Sequence, residues 1–175
     1  AYTVFGTYAY NPENMARRSC RNTILHYIAG TKSNAAVSVI LEQYNKANNM
    51  TDTIAALTEL ASINCNERIE ALIDFYNDWS NNPLVINKWF AIQALADSEN
   101  ALDQVKALLK HKAFDIKNPN NVRALIGSFC SGNIVNFHAV NGDGYKFLAD
   151  MVLELDAVNP QVAARILTPL TQWRK

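Results

Sequence analysis

The sequence predicts an all-α fold, a curved α-solenoid of helix pairs with about nine or ten helices. Three observations predict it. Breakers are scarce: Gly (6) and Pro (5) together make up about 6% of the chain, roughly half the usual share, and 23 alanines favour helix over sheet. Four of the five prolines follow an asparagine. Between those pairs apolar residues recur at helical spacing, and strand-period alternation never lasts more than a few residues.

The Asn-Pro pairs are Asn11-Pro12, Asn82-Pro83, Asn118-Pro119 and Asn159-Pro160. Asparagine is a strong N-cap because its side-chain oxygen accepts a hydrogen bond from an otherwise unpaired N–H of the first turn. Proline suits the next position, where its missing N–H costs nothing and its fixed φ already matches the helix. Each pair therefore marks a helix start. A fifth start, without proline, is expected in Asn48-Asn49-Met50-Thr51-Asp52, just ahead of Ile54, Leu57, Leu60 and Ala61. Counted from positions 11, 48, 82, 118 and 159, the intervals are 37, 34, 36 and 41 residues. Periods from the mid-thirties to about forty belong to helix-pair repeats. The register is loose and the tetratricopeptide offsets of Trp and Leu-Gly are absent, so an irregular HEAT/armadillo-like array is expected.

In chain order, the first stripe is Met15, Cys20, Ile24, Tyr27 and Ile28, and the second is Val37, Ile40, Leu41 and Tyr44. After the segment begun at Asn49 come Ile69, Leu72, Ile73 and Tyr76, then Val85, Ile86, Trp89, Phe90, Ile92 and Leu95. Leu102, Val105, Leu108 and Leu109 continue the series, followed by Val122, Leu125, Ile126 and Phe129. Phe147, Leu148, Met151, Val152 and Leu155 precede the last stripe, Val162, Ile166, Leu167 and Leu170. Breaks are expected at 30–33, 80–82, 132–133 and 141–144, where Gly, Ser and Asn collect, and at 111–118, which ends on the Asn118-Pro119 helix start.

A chain of 175 residues supports one domain or a short repeat array and buries about 70% of its unfolded surface. Lys+Arg and Asp+Glu are 16 each, a balance that argues against a nucleic-acid binder and against a polybasic membrane attachment. No apolar run approaches the roughly 20 residues of a membrane span. Cys20, Cys65 and Cys130 are odd in number and scattered, which fits a reducing compartment and a cytoplasmic location.

No catalytic constellation assembles from the residues themselves. His26, His111 and His138 stand far apart, His-Glu-x-x-His is absent, and no metal-ligand spacing is found, so neither a catalytic nor a metal residue is expected in this chain. Cys20 and Cys130 lie on apolar stripes and read as inert core thiols. Asn141-Gly142-Asp143-Gly144 lacks the remaining ligands of a calcium loop and reads as a turn in which Asp143 caps the next helix. Trp79, Trp89 and Trp173 read as packing residues, and Arg17, Arg18 and Arg21 as a solvated basic face.

Several blocks gain meaning together. Ala16-Arg17-Arg18-Ser19-Cys20-Arg21-Asn22 is followed by Asn48 to Asp52, then Lys88-Trp89-Phe90-Ala91-Ile92-Gln93-Ala94. Further on come Asn118-Pro119-Asn120-Asn121-Val122-Arg123-Ala124-Leu125-Ile126-Gly127, Phe137-His138-Ala139, Gly142-Asp143-Gly144-Tyr145, and Asn159-Pro160-Gln161-Val162-Ala163-Ala164-Arg165. In this order they resemble the C-terminal helical domain of bacterial aminopeptidase N, a zinc-dependent alanyl aminopeptidase of the gluzincin class. The resemblance covers residues 16–175, with 1–15 read as a linker or domain-start segment. Asn121 departs from the pattern, since the family often carries a basic residue there.

The resemblance implies a lid. The zinc ligands lie in an upstream catalytic domain of the same polypeptide, so zinc is the parent enzyme's cofactor and this chain has none. The helical domain closes over the catalytic cleft, admits short peptides and contributes the wall that meets the peptide beyond its first residue. By alignment, Arg123, Gln161 and Arg165 match the positions that reach this cavity. Their local chemistry is compatible: Gln161 and Arg165 are four apart and share a helix face, and a guanidinium fork suits a peptide's terminal carboxylate.

A free-standing helical-repeat scaffold for protein partners is the alternative. The ends favour the lid. The chain opens at Ala1 without methionine and stops at Trp173-Arg174-Lys175 inside a helical pattern, as expected for a piece of a longer polypeptide.

Overall fold

The computed structural model describes residues 7–172, so the readings that fall on residues 1–6 and on Trp173, Arg174 and Lys175 lie outside the described residues. All regular structure among the described residues is helical. The helices are α1 (Pro12–Ala29), α2 (Asn34–Lys46), α3 (Met50–Ala61), α4 (Asn66–Trp79), α5 (Pro83–Leu95) and α6 (Ala101–Leu108). There follow α7 (Pro119–Val122), a π-helical turn (Arg123–Gly127) and α8 (Ser128–Gly132), then α9 (Ile134–Phe137), α10 (Asp143–Asp156), α11 (Pro160–Ile166) and α12 (Thr168–Gln172). Because 119–132 runs on without interruption and α11 is separated from α12 by Leu167 alone, these segments form ten rods among the described residues. Among the described residues no helix is long and apolar enough to cross a membrane.

All five asparagine starts hold, each through the hydrogen bond that motivates it. The side-chain oxygens of Asn11, Asn49, Asn82, Asn118 and Asn159 accept from the backbone N–H groups of Asn14, Asp52, Val85, Asn120 and Val162 at 2.8, 3.0, 3.4, 3.0 and 3.2 Å. Asn133 is a sixth. Its Oδ1 accepts from Asn136 N at 3.4 Å to open α9, while its Nδ2 donates to the carbonyls of Ala94 and Ala96, both at 3.0 Å, at the end of α5.

The chain divides into two compact units, 1–74 and 75–175. In the first, α1, α2 and α3 pack against one another around Leu25, Val37, Ile40, Leu57 and Leu60. A polar network runs through the same space. Asp52 of α3 is fully buried and pairs with the Arg21 guanidinium of α1. Asn49 Nδ2 donates to the same carboxylate at 2.7 Å, and Gln43 of α2 donates to Asn22 Oδ1 at 2.8 Å and to the Asp52 carbonyl at 3.2 Å. One connected set thus ties three helices.

Two sequence expectations about α1 are corrected here. Arg17, Arg18 and Arg21 are not one solvated face. Arg17 is exposed on Glu13, but Arg18 is buried beside Tyr8 and the Ala9 carbonyl, and Arg21 neutralises the buried Asp52. The apolar stripe is also on another side, since α1 buries Arg18, Leu25 and Ala29 and leaves Met15, Cys20, Ile24 and Tyr27 in contact with solvent. The helix carries apolar residues on two sides, and the buried side is the one that keeps Arg21 within reach of Asp52.

In the second unit α5 is the hub, packing against α6, α7, the π turn and α8. Its apolar residues surround the axis, and Val85, Ile86, Trp89, Phe90, Ile92 and Ala94 are all buried, as expected of a helix covered on several sides. Phe129 packs edge-on against Phe137 and Phe147 at centroid distances of 6.2 and 5.7 Å. Gly144 permits a close approach of α10 to α9: a Cβ there would lie 2.2 Å from the Phe137 carbonyl oxygen.

Candidate functional site

The segment 118–128 is anchored from several directions. Asn118 caps α7, and the buried Asn121 donates from Nδ2 to Asn87 Oδ1 at 2.7 Å while its Oδ1 accepts from Asp115 N at 2.9 Å. Asn121 therefore has a polar role of its own, bracing α7 against α5 and the loop before it. The helix then widens into the π turn, in which Arg123 is the first residue. Single π turns within α-helices are frequent at functional sites. The Arg123 carbonyl accepts from the Ser128 N–H, and the Ser128 hydroxyl lies 3.4 Å from the same oxygen. The Arg123 side chain is exposed, and its Nη2 donates to Asn120 Oδ1 at 3.2 Å.

Gln161 and Arg165 are both exposed on α11, one turn apart. Their side chains make no hydrogen bond or ion pair among the described residues. The two elements carrying the three sequence-predicted residues meet, because α11 packs on the π turn as well as on α10. Asn120 is the participant that sequence reasoning missed, since the Asn-Pro-Asn block reads as a helix start and gives no sign that its second asparagine turns toward Arg123.

The three histidines are each engaged within the fold. His26 Nδ1 lies 3.0 Å from Glu59 Oε1 on the surface, and His138 Nδ1 lies 2.6 Å from the Tyr145 hydroxyl. His111 sits against the rings of Tyr76, Trp89 and Phe90, and its Nδ1 accepts from Ala113 N at 3.2 Å. Removal from water, with Lys112 as a smaller contribution, holds its pKa below the ordinary value. Among the described residues no group of three His, Cys, Asp or Glu side chains converges, so these residues do not fit a zinc site.

Two further expectations are corrected. Cys20 is exposed, whereas Cys130 is buried and burial pushes its thiol up to about 12. Asp143 does not cap α10. The cap residue is Gly142, at φ 74°, and the Asp143 carboxylate instead accepts from Asn141 Nδ2 at 2.9 Å and from Lys146 Nζ at 3.2 Å. A positive φ suits glycine, so the backbone turn outcompetes the side-chain cap.

The profile of a family described as a domain of unknown function (DUF3458_C), ARM repeats, matches residues 1–175. The chain belongs to this ARM-repeat family. It is 40% identical over 171 residues to aminopeptidase N of Escherichia coli and 41% identical over 170 residues to that of Haemophilus influenzae. Each match covers 96% of this chain and 19% of the relative, so the chain spans about a fifth of the curated relatives it matches. Among solved structures, aminopeptidase A of Legionella pneumophila in complex with aspartic acid superposes with a TM-score of 0.88 at 36% identity, covering 98% of this chain and 21% of that one. The resemblance to the C-terminal helical domain of bacterial aminopeptidase N therefore holds.

For this ARM-repeat domain, most residues in the blocks that carry the resemblance have jobs in the fold. Trp89 and Phe90 fill the core of α5, Gly144 allows the α9–α10 approach, Tyr145 bonds His138, and Asn118 and Asn159 cap helices. Gln161 and Arg165 have no such job, and Arg123 has only Asn120.

Proposed function

We propose that this chain is the C-terminal lid domain of a zinc aminopeptidase that removes N-terminal residues from peptides. On this reading it encloses the active-site cavity and controls peptide access, and it catalyses nothing by itself. The observation that carries the reading is the match of nearly the whole chain to about a fifth of the aminopeptidases N. The remaining four-fifths of such a polypeptide supplies the catalytic domain and its zinc, in the cytoplasm.

Arg123, Gln161 and Arg165 form the part of the cavity wall that meets the peptide downstream of the bond being cut. An amide and two guanidinium groups suit that task, because peptide carbonyls and a terminal carboxylate are all acceptors. A guanidinium presents its donors in a fixed planar fork that matches a carboxylate bidentately. These groups bind and orient. Bond cleavage belongs to the upstream domain. Support for the three positions comes from their exposure and from the lack of a structural task for two of them.

The first test is activity. The rigorously purified 175-residue chain is expected to release no alanine from alanyl p-nitroanilide with zinc supplied, and measurable zinc-dependent release would refute the reading. The upstream coding sequence separates the lid from the free-standing scaffold. His-Glu-x-x-His several hundred residues before Ala1 supports the lid, and a start codon immediately before Ala1 supports the scaffold.

A further inference from the structure

We propose that Asn120 is a positioning residue that orients the Arg123 guanidinium toward the peptide; the inference rests on the reading of Arg123 as part of the cavity wall. Arginine has a long side chain with many rotamers, and a binding group that must be ordered on arrival of its ligand loses affinity to that ordering. Here the ordering is built in. The Arg123 backbone is fixed by hydrogen bonds on both sides: its N–H donates to the Pro119 and Asn120 carbonyls, and its own carbonyl accepts from Ser128. At the far end of the side chain, Nη2 donates to Asn120 Oδ1 at 3.2 Å.

Asn120 is itself held. Its backbone N–H donates to Asn118 Oδ1 at 3.0 Å, and its neighbour Asn121 is buried and bonded to Asn87 and Asp115. The amide that receives the guanidinium is thus carried on a braced backbone between two anchored asparagines. The Asn120 side chain caps nothing and fills no core space, since Asn118 makes the cap and Asn120 is exposed. Its one described side-chain contact is Arg123. The bond uses one of the five guanidinium donors and leaves the others for acceptors on the peptide. In open water such a contact contributes little; enclosed in a cavity of low dielectric it gains weight.

The test uses the full-length enzyme that contains this chain, with Asn120→Ala, Asn120→Asp and Arg123→Ala compared on trialanine and on alanyl p-nitroanilide. Asn120→Ala is expected to raise KM for trialanine about threefold to tenfold, the size of one ordinary solvent-accessible hydrogen bond, with little change in kcat. The rise for alanyl p-nitroanilide is expected to be much smaller, since that substrate ends before Arg123. Asn120→Asp, which keeps an acceptor oxygen for the same guanidinium, should restore most of the loss. If Asn120→Ala leaves the trialanine KM unchanged while Arg123→Ala raises it, the positioning role is overturned and the reading of Arg123 stands. If Arg123→Ala itself leaves that KM unchanged, the cavity-wall reading of Arg123 falls and takes the positioning role with it. An equal rise on both substrates, or no rescue by Asn120→Asp, would show a merely structural residue and overturn the proposal.

Discussion

The two units solve the same packing problem with different chemistry. Unit 1–74 joins its first three helices through a buried charge, Asp52, matched by Arg21 and Asn49, with Gln43 bridging the Asp52 carbonyl to Asn22. Unit 75–175 relies on rings, with Phe129, Phe137 and Phe147 in one group and Tyr76, Trp89, Phe90 and His111 in another. The difference teaches where each unit is fragile. A buried ion pair is costly when half of it is removed, yet it can be replaced whole by apolar side chains at little cost. A ring removed from a close-packed core leaves a cavity that no change of partner relieves.

The largest effects test that contrast. Asp52→Ala is expected to destabilise the chain by about 3–5 kcal/mol, because it strands the Arg21 guanidinium. The double substitution Arg21→Met with Asp52→Leu should recover most of that loss. Phe129→Ala should cost about the same 3–5 kcal/mol. Denaturant unfolding measures all three, and a double substitution as damaging as Asp52→Ala alone would break the comparison. Next in size is Gly144→Ala, where the added methyl meets backbone, not a yielding side chain. About 1–3 kcal/mol is expected, and an unchanged unfolding midpoint would mean that α9 and α10 sit farther apart than described.

The smallest effect is in pH. The folded-state pKa of His111 lies below its ordinary value of 6.5, chiefly because its ring is withdrawn from water and secondarily because of Lys112. The unfolded chain takes up that proton first, so the contribution is fully present above about pH 6.5 and is lost as pH falls through the folded pKa. His111→Asn keeps an acceptor for the Ala113 N–H and should flatten the decline. A titration of the unfolding midpoint with the same slope in both proteins would remove His111 from the account.

What could be read in the sequence follows the range of the interaction. Asn11, Asn49, Asn82, Asn118 and Asn159 were legible because a cap is decided within three residues. The all-α class and the helix periods were legible for the same reason. The buried face of α1 was not, because it depends on Asp52, 31 residues from Arg21 in the chain. Nor was the second role of Asn133, whose carbonyl partners lie 37 and 39 residues away. The π turn carries no residue signal, and Gly144 shows its purpose only once α10 lies on Phe137. Of the candidate site, Arg123, Gln161 and Arg165 came from family resemblance and not from spacing. The packing of α11 on the π turn, and the turn of Asn120 toward Arg123, required the structure.

On the proposed lid reading, this chain handles the downstream part of a peptide and leaves the chemistry to the rest of the polypeptide. The most direct measurement is steady-state kinetics of Arg165→Ala in the full-length enzyme, with trialanine and alanyl p-nitroanilide as parallel substrates. A loss on trialanine of about 1.5–3 kcal/mol in transition-state binding is expected, the size of one charge-assisted hydrogen bond sheltered from water, with little loss on the chromogenic substrate. Equal losses on both substrates, or none on either, would contradict it.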